Sequence, residues 1–189
     1  MSEYVCPWWL GYLLASPLRR LMEGDPSRVL APYVREGMIV LEPGPGMGYF
    51  TLELARRVGP AGRVVAVDIQ RRMLDGLKRR AAKAGLLERV DARLALPDSM
   101  GLADLSGAAD FALAYAMVHE IPAPGPFFAE VSQALKPGGR VLLVEPAGHV
   151  DSAKFESELS LASEAGLNVT DRPAIRRNHA AVLTRAANS

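Results

Sequence analysis

The chain has 189 residues, 49% of them hydrophobic, and a formal net charge of +1. This length and apolar content predict a single domain over residues 1–189 with a sizeable core. A near-neutral chain lacks the strongly basic composition of a nucleic-acid binder. The one cysteine, Cys6, excludes a disulfide framework and a cysteine-rich zinc site. We therefore expect a reducing, cytoplasmic setting.

From about residue 36, apolar strand patterns alternate with amphipathic helix patterns. Strands that are apolar throughout, rather than alternating, are typical of a parallel sheet covered on both faces. The pattern therefore predicts a doubly wound α/β fold, in which ligands bind at the carboxyl ends of the strands. The predicted strands are 38–42, 64–68, 90–94, 109–116, 140–145, 167–170 and 180–185. The predicted helices are about 48–58, about 70–84, about 126–135 and a segment that Asp151 can cap.

No apolar run reaches the roughly 18 residues of a membrane-spanning helix, so membrane insertion is not predicted. The apolar stretch 5–14 is interrupted by Pro7, and neither a basic segment before it nor a small-residue cleavage site after it indicates a signal peptide. The basic residues of the second helix are assigned to a solvated face rather than to RNA binding. They are Arg71, Arg72, Lys78, Arg79, Arg80 and Lys83.

A glycine-rich turn follows the first strand, and a carboxylate ends the second. Residues 42–48 read E-P-G-P-G-M-G, and Asp68 stands twenty residues beyond Gly48. Such glycines let a ligand approach the backbone, and such a carboxylate can bind the two hydroxyls of a ribose. A dinucleotide fingerprint would need glycine where the chain has Tyr49. Two alternatives remain: Asp68 caps the following helix, and Glu42 only orders the loop.

The turn, its flanking strand and helix, and Asp68 resemble motif I of the class I S-adenosylmethionine (SAM)-dependent methyltransferases. Residues 109–121, A-D-F-A-L-A-Y-A-M-V-H-E-I, resemble the family's fourth strand and the loop after it. Residues 127–146, with the turn L-K-P-G-G, resemble the fifth-strand segment of the small enzymes typified by quinone-biosynthesis methyltransferases. The resemblance covers about residues 36–185. It implies a seven-stranded, mostly parallel sheet of order 3-2-1-4-5-7-6, with strand 7 antiparallel and helices on both faces.

The resemblance implies a site for SAM and its product S-adenosyl-L-homocysteine. The turn would wrap the methionine part, Asp68 would bind the ribose, Ile69 would pack on the adenine, and the backbone at 114–115 would meet the amino group. Where many relatives carry an acidic residue for the adenine, this chain has Arg93-Leu94-Ala95, with no carboxylate, which leaves that contact to backbone amides or Asp98. The implied cofactor-binding residues are Glu42, Pro43, Gly44, Pro45, Gly46, Gly48, Asp68, Ile69, Leu94, Ala114 and Tyr115.

Methyl transfer from a sulfonium is an in-line displacement, so the protein chiefly supplies proximity and orientation. A base is needed only if the nucleophile starts protonated, and no metal is required. His119 is the candidate base, because it follows the fourth strand and an imidazole titrates near neutral pH. Glu120 is its candidate orienter, or itself a base. The alternative is that His119 caps the strand or packs under the loop; Glu145 is read as structural and His149 as loop surface.

The sequence thus predicts a SAM-dependent methyltransferase with a small-molecule acceptor; the alternative is a SAM-binding sensor or partner subunit without turnover. Nucleic-acid methylation is disfavoured because the loop 114–117 lacks an Asn/Asp-Pro-Pro-aromatic signature, and arsenite methylation because that chemistry uses several cysteines. Residues 1–35 are predicted to be a helical lead-in. They are read as a lid over the active site, as core or as an interface. The acceptor atom and the oligomeric state are not predicted.

Overall fold

Seven strands and five α-helices lie in the part of the chain that the computed structural model describes, residues 25–96 and 98–187. The strands are β1 Ile39–Pro43, β2 Arg63–Asp68, β3 Val90–Leu94, β4 Ala109–Tyr115, β5 Leu135–Pro146, β6 Leu167–Asp171 and β7 Asn178–Arg185. The helices are α1 Pro26–Leu30, α2 Thr51–Val58, α3 Arg71–Lys83, α4 Pro124–Ala134 and α5 Ser152–Glu164. Short 3-10 helices occupy Leu87–Arg89, Ala103–Leu105 and Val118–Glu120.

The strands form a sheet in the order β3-β2-β1-β4-β5-β7-β6. β1 with β2, β2 with β3 and β4 with β5 are parallel, whereas β7 is antiparallel to both β5 and β6. The predicted fold class, a doubly wound and mostly parallel sheet with an antiparallel seventh strand, is therefore confirmed. The chain divides into two compact units, residues 1–97 and 98–189. The prediction of one domain stays a prediction, and most of the predicted lead-in, residues 1–24, lies outside the described residues.

In the first unit, β1 and β2 are buried and α2 and α3 cover them. Leu74 and Leu77 of α3 pack with Ala66 of β2, and Val90 and Ala92 of β3 lie against this cluster. The helix buries positions spaced three and four residues apart, which is the spacing that predicts an amphipathic helix.

In the second unit, β4 and the central part of β5 are buried, and α4 and α5 supply the covering apolar faces. Asp151 caps α5 as predicted, since its Oδ1 accepts a hydrogen bond of 2.8 Å from the Lys154 N–H. One strand differs from its prediction: β5 begins at Leu135 and includes the residues 136–139. Leu135 pairs with Ala109 and Arg140 with Phe111, so the predicted turn bulges out of a strand that pairs on both sides of it.

Substitution of Gly48 tests how tightly the glycine turn packs on α3. Its φ is +83°, and a Cβ there would lie 2.3 Å from Cδ1 of the fully buried Leu77. We expect Gly48→Ala to lower the free energy of unfolding by about 2–4 kcal/mol, combining left-handed strain with overpacking. Urea denaturation measures this.

Gly85→Ala is the matched control. Gly85 also has a positive φ, +68°, but a Cβ there would meet nothing within 4 Å. Strain alone should then lower the free energy of unfolding by only about 1–2 kcal/mol. Equal losses for the two variants would show that Leu77 moves aside at no cost, contrary to the tight packing inferred here.

Candidate active site

The glycine turn has a packed side and an open side. β1 delivers the buried Glu42 and Pro43 to it, and the Gly44 N–H donates to the Val67 carbonyl of β2 at 2.9 Å. Gly48 packs on α3, and its N–H closes the turn by donating to the Pro45 carbonyl at 2.9 Å. Gly46, with φ +54°, has nothing within 4 Å of a Cβ position. A ligand can therefore approach the backbone closely at Gly46.

Asp68, at the end of β2, is bound directly to that turn. Its Oδ2 accepts a hydrogen bond of 3.2 Å from the Gly46 N–H, and its Oδ1 accepts one of 2.8 Å from the Gln70 N–H. The capping residue of α3 is Gln70, so Asp68 does not cap the helix itself. The structure thus brings together the two features that the sequence placed twenty residues apart, with the carboxylate beside the open side of the turn.

Two exposed apolar side chains lie next to this carboxylate. Ile69 follows Asp68 and is 61% exposed, and Leu94, the parallel partner of Asp68 on β3, is 41% exposed. The Ala95 N–H donates to the Asp68 carbonyl at 3.0 Å, so this backbone amide already has an acceptor. An open backbone turn, a carboxylate and an adjacent apolar surface are the groups that a nucleoside with a charged tail requires. The residues present therefore fit SAM.

Arg80 is a residue of this site that the sequence analysis misassigned. Its guanidinium donates to the Met47 carbonyl in the glycine turn and is partly buried. On the same helix, a Cβ at Gly76 would lie 3.0 Å from Cγ of Met47. The prediction that Arg80 lies on a solvated face is therefore wrong. Its position beside Leu77 and Ala81, at the edge of the buried stripe, was the available signal.

In the second unit, the candidate residues follow β4. Ala114 and Tyr115 are buried, and the Tyr115 hydroxyl accepts a hydrogen bond of 3.4 Å from Nδ2 of Asn178 on β7. Ala116 has a φ of +53°, which is strained for a residue with a Cβ, and its N–H donates to the Val144 carbonyl at 2.7 Å. This left-handed residue turns the chain into the 3-10 helix that carries His119. The predicted backbone contact of 114–115 with the methionine stays a prediction.

Glu145, rather than Glu120, orients His119. Glu145 is fully buried, and its Oε2 is hydrogen-bonded to Nδ1 of His119. Its Oε1 accepts hydrogen bonds from the N–H groups of Met117, at 3.2 Å, and Val118, at 2.8 Å. The sequence placed Glu120 next to His119 and gave Glu145 only a structural role. The register supplies Glu145: Tyr115, the last residue of β4, pairs with Val144 of β5, which places the next residue, Glu145, beside the loop after β4. The sequence alone does not display this register.

The hydrogen bond that the imidazole donates to Glu145 raises the pKa of His119 above its usual 6.5. Burial of the imidazole acts in the opposite direction, and the charges of Glu145 and Glu120 raise the pKa further. The positive charge of Lys154 lowers it. The side chain of His119 is 14% exposed, so solvent still reaches the imidazole ring, whose second nitrogen is Nε2.

Glu158 of α5 is a buried carboxyl that the sequence analysis did not single out. It is 3% exposed, and neither carboxyl oxygen has a hydrogen-bond partner among the described residues. Burial, together with the charge of Glu145, raises the pKa of Glu158 to about 7. The signal was present in the sequence, since Phe155, Glu158, Leu159 and Ala162 follow the spacing of a buried helix face.

The other two histidines lie around the same strand end. The ring of His149, which is exposed, meets the ring of His119 edge to face at a centroid distance of 5.7 Å. His179 of β7 is the cross-strand partner of Glu145 and stacks on Phe155 of α5 at 5.4 Å. No described helix is both long and apolar enough to cross a membrane. Within residues 25–96 and 98–187, no three His, Cys, Asp or Glu side chains are grouped as a metal site.

Comparison with known proteins identifies the family. The profile of the methyltransferase-domain family matches residues 40–139. A demethylmenaquinone methyltransferase of Lactobacillus johnsonii is 28% identical over 145 residues, 73% of this chain and 59% of that protein. An arsenite methyltransferase of Halobacterium salinarum is 28% identical over 151 residues, 78% of this chain and 37% of that protein. The chain thus matches less than two thirds of the length of these curated relatives, 59% of one and 37% of the other.

Among solved structures, a SAM-dependent methyltransferase from Aquifex aeolicus has a TM-score of 0.85 and 24% identity over 96% of this chain and 100% of that one. This likeness shows the fold. Together with the family match, it establishes that the chain belongs to the class I SAM-dependent methyltransferases, as its motifs predicted, and SAM is the cofactor of that class.

The buried Glu158 makes stability depend on pH. Folding raises the pKa of Glu158 from 4.5 to about 7, so the folded chain holds this proton more tightly than the unfolded chain. The cost of ionising Glu158 in the folded chain is therefore absent below the unfolded pKa of 4.5, grows as the pH rises from there to about 7, and is complete above about 7. We expect Glu158→Gln to gain stability over the wild type between pH 5 and pH 8, by up to about 3 kcal/mol. Urea denaturation at several pH values measures this difference.

Glu156→Gln is the control on the same helix. Glu156 is exposed and paired with Arg172 at 2.7 Å, which lowers the pKa of its carboxyl. The stabilisation from ionised Glu156 is complete above the usual pKa range of a glutamate. The difference in free energy of unfolding between Glu156→Gln and the wild type should therefore stay constant from pH 5 to pH 8. A difference for Glu158→Gln that is equally flat would contradict the predicted pKa.

Proposed function

We propose that this chain transfers the methyl group of SAM to a small-molecule acceptor by in-line displacement, releasing S-adenosyl-L-homocysteine. The observation that carries the proposal is the contact of Asp68 with the open glycine turn at Gly46. That contact supports a ribose-binding role for Asp68, because each carboxylate oxygen can accept a further hydrogen bond from a ribose hydroxyl. The family to which the chain belongs supports the same cofactor.

The described residues suit each part of SAM. The backbone of residues 42–46 would hold the methionine part, and Gly46 leaves the room for it. Asp68 would bind the ribose, while the exposed side chains of Ile69 and Leu94 would contact the adenine. Ala114 and Tyr115 are proposed to meet the amino group through their backbone.

SAM supplies a methyl group on a positively charged sulfur, which leaves as a neutral thioether. The protein's task is to hold the acceptor in line and to keep water out, so orientation carries much of the rate. His119 is the proposed proton acceptor for a nucleophile that starts protonated. Glu120, on the same 3-10 helix, is the second candidate, and its charge acts on His119 in any case.

A small acceptor is supported by the near-neutral charge and by relatives named for demethylmenaquinone and arsenite. Arsenite itself is disfavoured, because this chain has a single cysteine. The same cysteine content supports a reducing, cytoplasmic setting. We therefore place an organic acceptor, of the kind that demethylmenaquinone represents, ahead of arsenite and of nucleic acid.

Transfer of the labelled methyl group from [methyl-³H]SAM tests the reaction. The acceptors are reduced demethylmenaquinone, arsenite and bulk tRNA, each with and without the protein. We expect label only in the organic small molecule. Label in tRNA would overturn the acceptor class. Tight SAM binding without transfer to any acceptor would favour a SAM-binding sensor or partner subunit.

Substitution of Asp68 tests the cofactor site separately from turnover. Asp68→Asn keeps the shape of the side chain but removes its charge, so we expect SAM binding to weaken by about 1–3 kcal/mol, the scale for hydrogen bonds to a charged group. Isothermal titration calorimetry with SAM measures this. Asp75→Asn, which changes an exposed aspartate of α3, is the control and should bind SAM like the wild type. Unchanged affinity in Asp68→Asn would refute the ribose role.

A further inference from the structure

We propose that His119, Glu145 and Glu158 form a proton-accepting group, in which Nε2 of His119 receives the acceptor's proton and the two glutamates are positioning residues. This inference rests on the proposed function and narrows it. The acceptor's nucleophilic atom would carry an ionisable proton, as phenolic and enolic hydroxyls do. A nucleophile without such a proton would have no use for this group.

The first support is the hydrogen bonding of Glu145. A fully buried carboxylate that accepts from two backbone N–H groups has one remaining partner, the imidazole of His119. Because a carboxylate only accepts, Nδ1 of His119 carries the proton of the neutral imidazole, and Nε2 then carries the lone pair. A buried carboxylate that fixes the tautomer of a histidine base is the arrangement of hydrolase triads.

The second support is that Glu158 lies on the same face of the sheet. Glu145 and His179 are directly opposite in an antiparallel pair, so their side chains share a face. His179 stacks on Phe155, which belongs to α5, so α5 covers that face. Glu158 is three residues beyond Phe155 on the buried side of the same helix. Its charge interactions with Glu145 and His119 agree with this placement.

The third support is that Glu158 has no structural reason to be a glutamate. It occupies a core position, makes no hydrogen bond in the described part of the chain, and burying such a group destabilises the fold. A leucine would fill the helix face without that cost. Sites where a chain breaks its own apolar pattern are where function is expected.

The surrounding charges suit uptake of a proton near neutral pH. Glu145 from β5, Glu120 from the same 3-10 helix and Lys154 from α5 act on His119, and the ring of His149 touches it. Glu145, Lys154 and His119 act on Glu158, whose pKa is raised to about 7 mainly by burial. The two groups are coupled: an imidazolium at 119 favours the ionised form of Glu158.

The proposed step balances without a further reactant. The X–H bond of the acceptor breaks, and its electron pair stays on X and forms the X–CH₃ bond. The S–CH₃ bond breaks, and its pair stays on sulfur. The proton moves to Nε2 of His119, where Glu145 stabilises the resulting positive charge.

Nitrogen-15 NMR of the folded protein tests the arrangement without any substrate. The chain has three histidines, so substitution of each by glutamine assigns the signals. In the wild type we expect neutral His119 with its proton on Nδ1. In Glu145→Gln the new amide can donate to Nδ1, so the proton should move to Nε2. In Glu158→Gln, loss of the negative charge should shift the titration of His119 to lower pH.

Matched controls separate these effects from a general change in structure. Glu156→Gln, on the exposed side of α5, should leave the titration of His119 unchanged. Wild-type His119 with its proton on Nε2, or an unchanged titration in Glu158→Gln, would overturn the proposal. If Glu145→Gln does not fold, the wild-type tautomer and Glu158→Gln still decide the question.

Two chemical probes test access and acceptor class. Diethyl pyrocarbonate reacts with unprotonated imidazole nitrogen, so the comparison is made at a pH above the titration of His119, where the imidazole is neutral in both proteins. There it should modify His119 at least about tenfold faster in the wild type, whose Nε2 carries the lone pair, than in Glu145→Gln. With S-adenosyl-L-homocysteine present, excess wild-type protein should raise the phenolate fraction of 4-nitrophenol at a pH just above the titration of His119, and His119→Gln should not. Equal modification rates, or no rise in phenolate, would contradict a base that serves hydroxyl acceptors.

Failure of this proposal and failure of the proposed function are distinguishable. Calorimetry with SAM on the same samples reports the cofactor site alone. Absence of SAM binding would remove the methyltransferase function whatever the NMR result. Normal SAM binding with the wrong tautomer at His119 would remove only the proton-accepting group.

Discussion

A buried carboxylate at the end of a parallel strand, satisfied by the backbone of a neighbouring loop, organises each of the two units. Asp68 ends β2 and accepts from the Gly46 N–H in the turn after β1. Glu145 lies near the end of β5 and accepts from the Met117 and Val118 N–H groups after β4. A buried carboxylate needs hydrogen-bond donors, and the N–H groups of a loop that do not pair with a strand need acceptors. In both units the carboxylate and the loop N–H groups satisfy each other. The loops that carry the candidate site are thereby held in one conformation.

The same glycine-rich segment serves packing and ligand access at different positions. Gly48 has no room for a side chain because Leu77 lies against it, whereas Gly46 faces open space. The guanidinium of Arg80 on α3 donates a hydrogen bond to the Met47 carbonyl, which links the turn to α3. The spacing of the glycines in the sequence does not show which one is needed for close packing and which one for access of a ligand. Only the position of α3 shows which glycine is required by the core and which leaves room for the cofactor.

Local patterns were sufficient to predict the strands and the main helices, the glycine turn and the carboxylate of Asp68, while the family resemblance implied the order of the strands. The local features depend on periodicity and on strand ends, which a sequence displays directly. The orienter of His119 could not be found in this way, because the sequence offers the adjacent Glu120, while the register of β4 against β5 supplies Glu145. Glu158 was detectable in principle, since its spacing with Phe155 and Leu159 places a carboxyl on an apolar face. A single carboxyl does not disturb the apolar periodicity of this helix, so the pattern that predicts the helix does not by itself draw attention to Glu158.

Two unfavourable features of the second unit lie close to one histidine. Ala116 holds a left-handed backbone, which costs about 1–3 kcal/mol for such residues. Glu158 is buried without a hydrogen bond among the described residues, which is destabilising whenever it is ionised. Neither cost improves packing, and a glycine and a leucine would remove them. Both features act on the loop and the charges around His119, so their retention is easier to explain by the chemistry of that imidazole than by the stability of the fold.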